Sequence, residues 1–186
     1  MLAQVLLTRI LIDGGILTMI ASTVLVLMLY FKPRMALSDY PEDVKAAVPP
    51  RTKEELRAGI ILSIPLLILF IAYPLYSVWR AKIIIGDELT YWMVFAVIFG
   101  EYFMVSMFDL IVLDLLLFYT WTPKFLVLPG TEGFAGYKDY RPHVKAQLIK
   151  GNILLAGFAA LLALIPTYVC SFLACNARMI GGTITP

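Results

Sequence analysis

The chain reads as an all-α integral membrane protein: a bundle of four transmembrane helices, with a short helix in its first link and a long third loop. Three observations predict this. Hydrophobic residues fill 61% of the 186 positions and charged residues 15%, with a mean hydropathy of +0.86. A soluble domain is roughly 45–50% apolar and about 25% charged, so water as the only solvent would leave too little polar surface for the outside. Four apolar stretches each reach the roughly 20 residues that a spanning helix needs. The third observation is that lysines and arginines crowd into alternate links, as they do in multi-pass proteins.

The first helix is predicted over residues 10–31. Asp13 interrupts its apolar start and no small-x-small site follows, so a retained helix is expected rather than a cleaved signal peptide. Arg9 and Asp13 stand four apart, the spacing of a surface ion pair at the helix end. Gly14, Thr18 and Ser22 recur at four-residue spacing, a stripe that lets another helix approach closely.

The first link is the most polar part of the chain. Pro41-Glu42-Asp43-Val44-Lys45 places proline and acids where a short surface helix begins, and Pro49-Pro50 ends it. Thr52 and Glu55 have the spacing of a capping box. The second helix therefore begins in water, ahead of its predicted span of 58–79. Tyr73, Tyr76 and Trp79 close that span as an interfacial belt, and Tyr91 and Trp92 open the next one. Asp87 in the short second link is the expected N-cap of the third helix, predicted over residues 90–119, with Tyr119 and Trp121 at its far end.

The third link is long and rich in Pro, Gly and Tyr. Its piece from Trp121 to Gly133 is apolar, bounded by prolines and too short to span, so it is expected in the interface or dipping back into the protein. The fourth helix is predicted over residues 152–175, with small-residue pairs Ala156/Ala160 and Ala159/Ala163. Pro65, Pro74 and Pro166 fall inside spans and are expected to kink them. Residues 1–176 form a single transmembrane domain on this reading, and 177–186 a flexible tail. Cys170 and Cys175 lie five apart near a helix end, a spacing that suits neither a disulfide nor a metal motif.

Eleven of the fifteen basic residues fall in the first and third links: Lys32, Arg34, Lys45, Arg51, Lys53 and Arg57, then Lys124, Lys138, Arg141, Lys145 and Lys150. Arg9, Arg80, Lys82 and Arg178 fall on the other side. The bias places loops 32–57 and 120–151 in the cytoplasm and both termini outside, in a multi-pass protein of the cell membrane.

Ionisable residues inside a span are costly and mark functional candidates. The third helix carries Glu101, Asp109 and Asp114. On an α-helix Glu101 and Asp109 lie roughly 80° and 12 Å apart, and Asp114 about 140° from each. That is too far for a shared-proton dyad and suits stepping stones along an ion path. Pairing of Asp114 with a basic residue such as Lys124 is the plain structural alternative. In the third link, Glu132, Tyr137, Lys138, Asp139, Arg141 and His143 are candidates for contacting a lipid headgroup or a partner. His143 is the only histidine. No zinc or haem spacing, nucleophile elbow, phosphate loop or dinucleotide fingerprint occurs, so no cofactor is identified and an enzyme is the less favoured class. Nucleic-acid binding has no basic, aromatic-interleaved patch to support it.

Three functions follow as expectations. The first is a non-enzymatic membrane module assembling with itself or with a membrane protein partner in the lipid bilayer. The second is a proton- or cation-conducting transporter or channel using the acids of the third helix. The third is a lipid-binding or lipid-modifying protein using the third loop.

Phe108-Asp109-Leu110-Ile111-Val112-Leu113-Asp114, then Thr122-Pro123-Lys124, Pro129-Gly130-Thr131-Glu132-Gly133 and Tyr137-Lys138-Asp139-Tyr140, resemble a family of small bacterial four-helix membrane proteins. These share an Asp-containing helix followed by a Pro-Gly-Thr-Glu-Gly loop. The resemblance covers about a quarter of the chain. It implies a bacterial source and, having no assigned activity behind it, no mechanism.

Overall fold

Continuous apolar runs satisfy their backbone internally as helices, and the computed structural model of the chain is all-α. It describes residues 2–181, with side chains to Tyr168. Helix α1 spans Leu2–Phe31, and a 3-10 segment Pro33–Asp39 leads to the short α2, Glu42–Ala47. Helix α3 spans Lys53–Ile85 and α4 spans Tyr91–Phe108, continued by a π-helical segment Asp109–Trp121. After turns, α5 covers Arg141–Ala146, a π turn covers Gln147–Gly151, and α6 runs Asn152–Gly181. Four helical stretches are long and apolar enough to cross a bilayer: Leu2–Phe31, Lys53–Glu88, Tyr91–Trp121 and Arg141–Tyr168.

The caps largely follow the sequence. Thr52 accepts from the Glu55 backbone N–H at 3.1 Å, and Glu55 accepts from the Thr52 N–H at 2.9 Å, completing the capping box. Asp87 does not cap α4. It lies in the turn Gly86–Glu88, and Thr90 caps instead, accepting from the Met93 N–H. The link closes sooner because Gly86 adopts φ +69, which ends α3 abruptly and sets the next extended residue at Thr90. Helix α6 continues through Gly181, into the expected tail, and begins in effect at Arg141 through the π turn. The side chains of Cys170, Cys175 and Arg178, and residues 182–186, lie outside the described residues.

Helix α4 is the hub, packed against α1, α3 and α6. The core gathers Leu17, Val78, Val97, Ile98, Tyr102 and Ala159, with Leu162 and Ala163 beside them. The Gly14/Thr18/Ser22 stripe is buried. A Cβ on Gly14 would lie 3.2 Å from the Glu101 Cα, so glycine permits the close approach of α1 to α4. Pro74 is buried and Pro65 exposed, and α3 continues through both. Between Ile60 and Pro65 every residue is exposed, so this part of α3 stands off the bundle.

A second small core lies at the link end. Leu37, Tyr40 and Val44 of the first link pack on Leu128 and Tyr137 of the third. Leu126 and Leu128 are buried there, so the apolar piece after Trp121 folds back onto the protein. Tyr40 donates its hydroxyl to the Leu126 carbonyl at 2.8 Å, and Asp43 accepts from the Gly136 N–H at 2.8 Å. First and third links thus fold onto one another as a cap, which agrees with their placement on one side.

Candidate functional site

The α1–α4 contact is lined with polar groups. Asp13, Thr18 and Ser22 on α1, and Glu101 and Ser106 on α4, are all buried, together with Ser77 of α3. Gly14 sits against Glu101 while Ile10 sits against Gly100, so the two helices run parallel with matched ends. The seam therefore ascends both helices in the same direction, from Asp13 and Glu101 toward Ser22, Ser106 and Asp109.

At one end, Asp13 is fully buried. Its Oδ2 accepts from the Ser77 hydroxyl at 2.9 Å and pairs with Arg9 at 3.4 Å, while its Oδ1 pairs with Arg80 at 3.3 Å. Arg80 also lies over the Tyr76 ring. The expected Arg9–Asp13 surface pair is thus an interior site. Its carboxylate is sealed because Gly14 draws α4 over it, and Arg80 arrives from α3, beyond what i,i+4 spacing reveals.

Glu101 is fully buried beside this group with the Ser77 hydroxyl close by, and among the described residues no donor meets either of its carboxyl oxygens in hydrogen-bonding geometry. A hydroxyl has one proton to donate, and that of Ser77 goes to Asp13. An unpartnered ionised carboxylate in a low-dielectric interior costs several kcal/mol. The position calls for a proton or a cation.

At the other end the π winding changes the geometry. Hydrogen bonds from i to i+5 widen the turn, so residues five apart lie nearer one face than they do on an α-helix. Asp109 and Asp114 are five apart, and both line one cavity of about 290 Å³ with His143 and Gln147. The separate faces expected from α-helical spacing are corrected by the change of pitch. His143 Nε2 lies 2.8 Å from Asp114 Oδ2, so the partner of Asp114 is the histidine of α5 and not Lys124. Gln147 donates to Asp109 Oδ2 at 3.4 Å and reaches the Ser106 hydroxyl at 3.5 Å. Both π segments flank this cavity.

The other loop candidates divide. Tyr137 is buried, and its hydroxyl meets the Leu128 N–H at 3.1 Å and Thr131 at 2.9 Å, which holds the turn. Glu132 accepts from the Gly130 N–H within the same turn, where Gly130 and Gly133 take φ +85 and +81. Lys138 donates to the Tyr119 and Thr120 carbonyls and the Thr122 hydroxyl, capping the π segment. Asp139 lines a neighbouring surface hollow with His143, and Arg141 is exposed. Only His143 of the loop set joins the acids of the third span. Outside the spans, burial pushes the Tyr40 phenol well above its ordinary range, and the Glu55 carboxylate hydrogen-bonded to Arg34 holds that guanidinium higher still.

Asp13, Ser77, Arg80 and Gln147 belong to the site and were not singled out as its members by sequence. The signal available was Asp13 directly preceding the Gly14 stripe. Among the described residues, no group of three or more His, Cys, Asp or Glu is placed to hold a metal ion. No family model, curated protein or solved structure matches the chain.

Proposed function

We propose that this chain is a multi-pass membrane protein that moves protons across the bilayer along the α1–α4 seam. The observation that carries the reading is Glu101, buried in the seam beside Asp13 with neither oxygen held by a hydrogen bond among the described residues. Buried ionisable groups in spans are kept at a cost and commonly serve as relay points. A carboxyl group with no fixed donor is free to take a proton from one side and yield it to the other.

The roles follow the geometry. Asp114, His143 and Asp109 form the acceptor cluster under the cap, on the side that the basic links assign to the cytoplasm. Ser106, Ser22 and Thr18 supply hydroxyls along the interface. Glu101 is the central relay. Asp13, clamped by Arg9, Arg80 and Ser77, is the outer station. Gaps between these groups exceed single hydrogen bonds, roughly 12 Å along the axis from Glu101 to Asp109, so water entering the seam completes the path. The seam gives this reading precedence over the non-enzymatic module, which rests on no residue of the site.

The test is proton flux in proteoliposomes with an imposed pH gradient and a trapped pH dye. Wild-type protein is expected to dissipate the gradient, and Glu101→Gln and Asp109→Asn to abolish that flux while still folding. Wild-type protein that passes no protons under gradients of either sign removes the reading.

A further inference from the structure

The cavity at Asp109 continues into a second one. The first, about 290 Å³, has Asp109, Asp114, His143 and Gln147 in its lining. The second, about 380 Å³, lies among all four spans and is walled by Leu66 and Phe70 of α3, Val105 of α4, and Leu154 and Leu155 of α6. Leu25, Asp109 and Gln147 line both. Each is of the size that holds a small ligand. Together they form one crevice with an acidic head and an apolar stem.

The stem lies beside the part of α3 that the bundle holds least. Leu66 follows directly on the stretch Ile60–Pro65, where α3 stands off the bundle and exposes every residue. Leu66 and Phe70 of α3 and Leu154 and Leu155 of α6 wall the crevice on that side.

From this we infer that the crevice binds an amphiphile with a primary ammonium head and a single apolar chain. The charge at the head selects the class. Asp109 and Asp114 face the cavity with Asp39 of the first link at its rim, against one imidazole already bonded to Asp114. Asp109 receives one long bond, 3.4 Å from Gln147, among the described residues, so it has acceptor capacity left for an N–H donor. An ammonium supplies three donors and a compensating charge. A carboxylate or phosphate head would meet like charge, and an uncharged head would leave the aspartates uncompensated. Leu66, Phe70, Val105, Leu154 and Leu155 offer only dispersion and burial, which suits a hydrocarbon chain.

This inference shares Asp109 with the proton path but needs no gradient, so binding and flux fail separately. The experiment is native mass spectrometry of the full chain in a non-ionic detergent, offered dodecylamine, dodecanol and dodecanoate at equal concentration. A single dodecylamine is expected to stay on the chain, with dodecanol and dodecanoate lost. Asp109→Asn is expected to lower dodecylamine retention by about tenfold or more, the effect of removing a charged hydrogen-bond partner. Equal retention of the three amphiphiles, or equal retention of dodecylamine by wild type and variant, overturns the inference. Should Asp109→Asn not fold, the selectivity of the wild type alone decides. Protein extracted without added amphiphile separates the sources: a co-purifying aminolipid mass points to the membrane, and an empty crevice that fills with added dodecylamine points to a free amine.

Discussion

Tyr40 ties the first link to the third through one phenol, buried and donating to the Leu126 carbonyl at 2.8 Å. Its folded value is raised by burial, and by the neighbouring Tyr137. The unfolded chain, with an ordinary phenol near about 10, releases the proton first. The stability this group contributes is therefore whole below about pH 10 and is lost as pH rises toward the folded value. Tyr40→Phe should cost about 1 kcal/mol at neutral pH and flatten the alkaline fall, as read by chemical unfolding in detergent at neutral and alkaline pH. An unchanged alkaline slope would assign it to another group. At the other end of the molecule, Ser77→Ala removes one donor from a fully buried Asp13. A loss of about 1–3 kcal/mol is expected, measured by the same unfolding assay. The individual acids of the third span were legible because charge in an apolar run stands out. The partner of Asp109 was not, nor was that of Asp13, since Gln147 and Ser77 come from other helices and carry no sequence signal of their own.

At the scale of elements, the small-residue stripe of α1 was readable and its consequence is specific. Gly14 faces the Glu101 backbone and the Met104 sulfur, while Gly15, one residue on, has open space around its Cβ direction. Gly14→Leu should wedge α1 from α4 and destabilise by about 1–3 kcal/mol or more. Gly15→Leu should stay within about 0.5 kcal/mol of wild type. Equal effects in a thermal unfolding comparison would mean that the α1–α4 approach is not set by the stripe. The four long helices and the Thr52 capping box were likewise plain, because hydrophobic length and local cap chemistry are short-range signals. The π segments were not. Nothing in Asp109-Leu-Ile-Val-Leu-Asp114 distinguishes i→i+5 from i→i+4 winding by composition, yet that change decides whether Asp114 shares a face with Asp109. The Asp87 expectation failed for a related reason: Gly86 turned the chain first.

Across the whole molecule, the charge bias and the cap describe the same asymmetry. Loops 32–57 and 120–151 carry most of the basic residues, and the structure packs them together at one end. The acidic cavity lies just beneath that end, and the Asp13–Arg9–Arg80 group lies toward the other. A seam of buried polar groups joins them, with Glu101 beside Asp13. What sequence could not supply was the contact and register of α1 with α4, which depend on long-range packing and place Asp13 beside Glu101. The proposed proton path requires Glu101 to exchange a proton with the outside through this interior. Infrared difference spectroscopy of the reconstituted protein, stepped between acid and alkaline buffer, reads it most directly. A carboxyl C=O band is expected that vanishes in Glu101→Gln and persists in Glu132→Gln. A difference spectrum unchanged by Glu101→Gln would contradict it, showing a carboxyl that neither gains nor loses a proton.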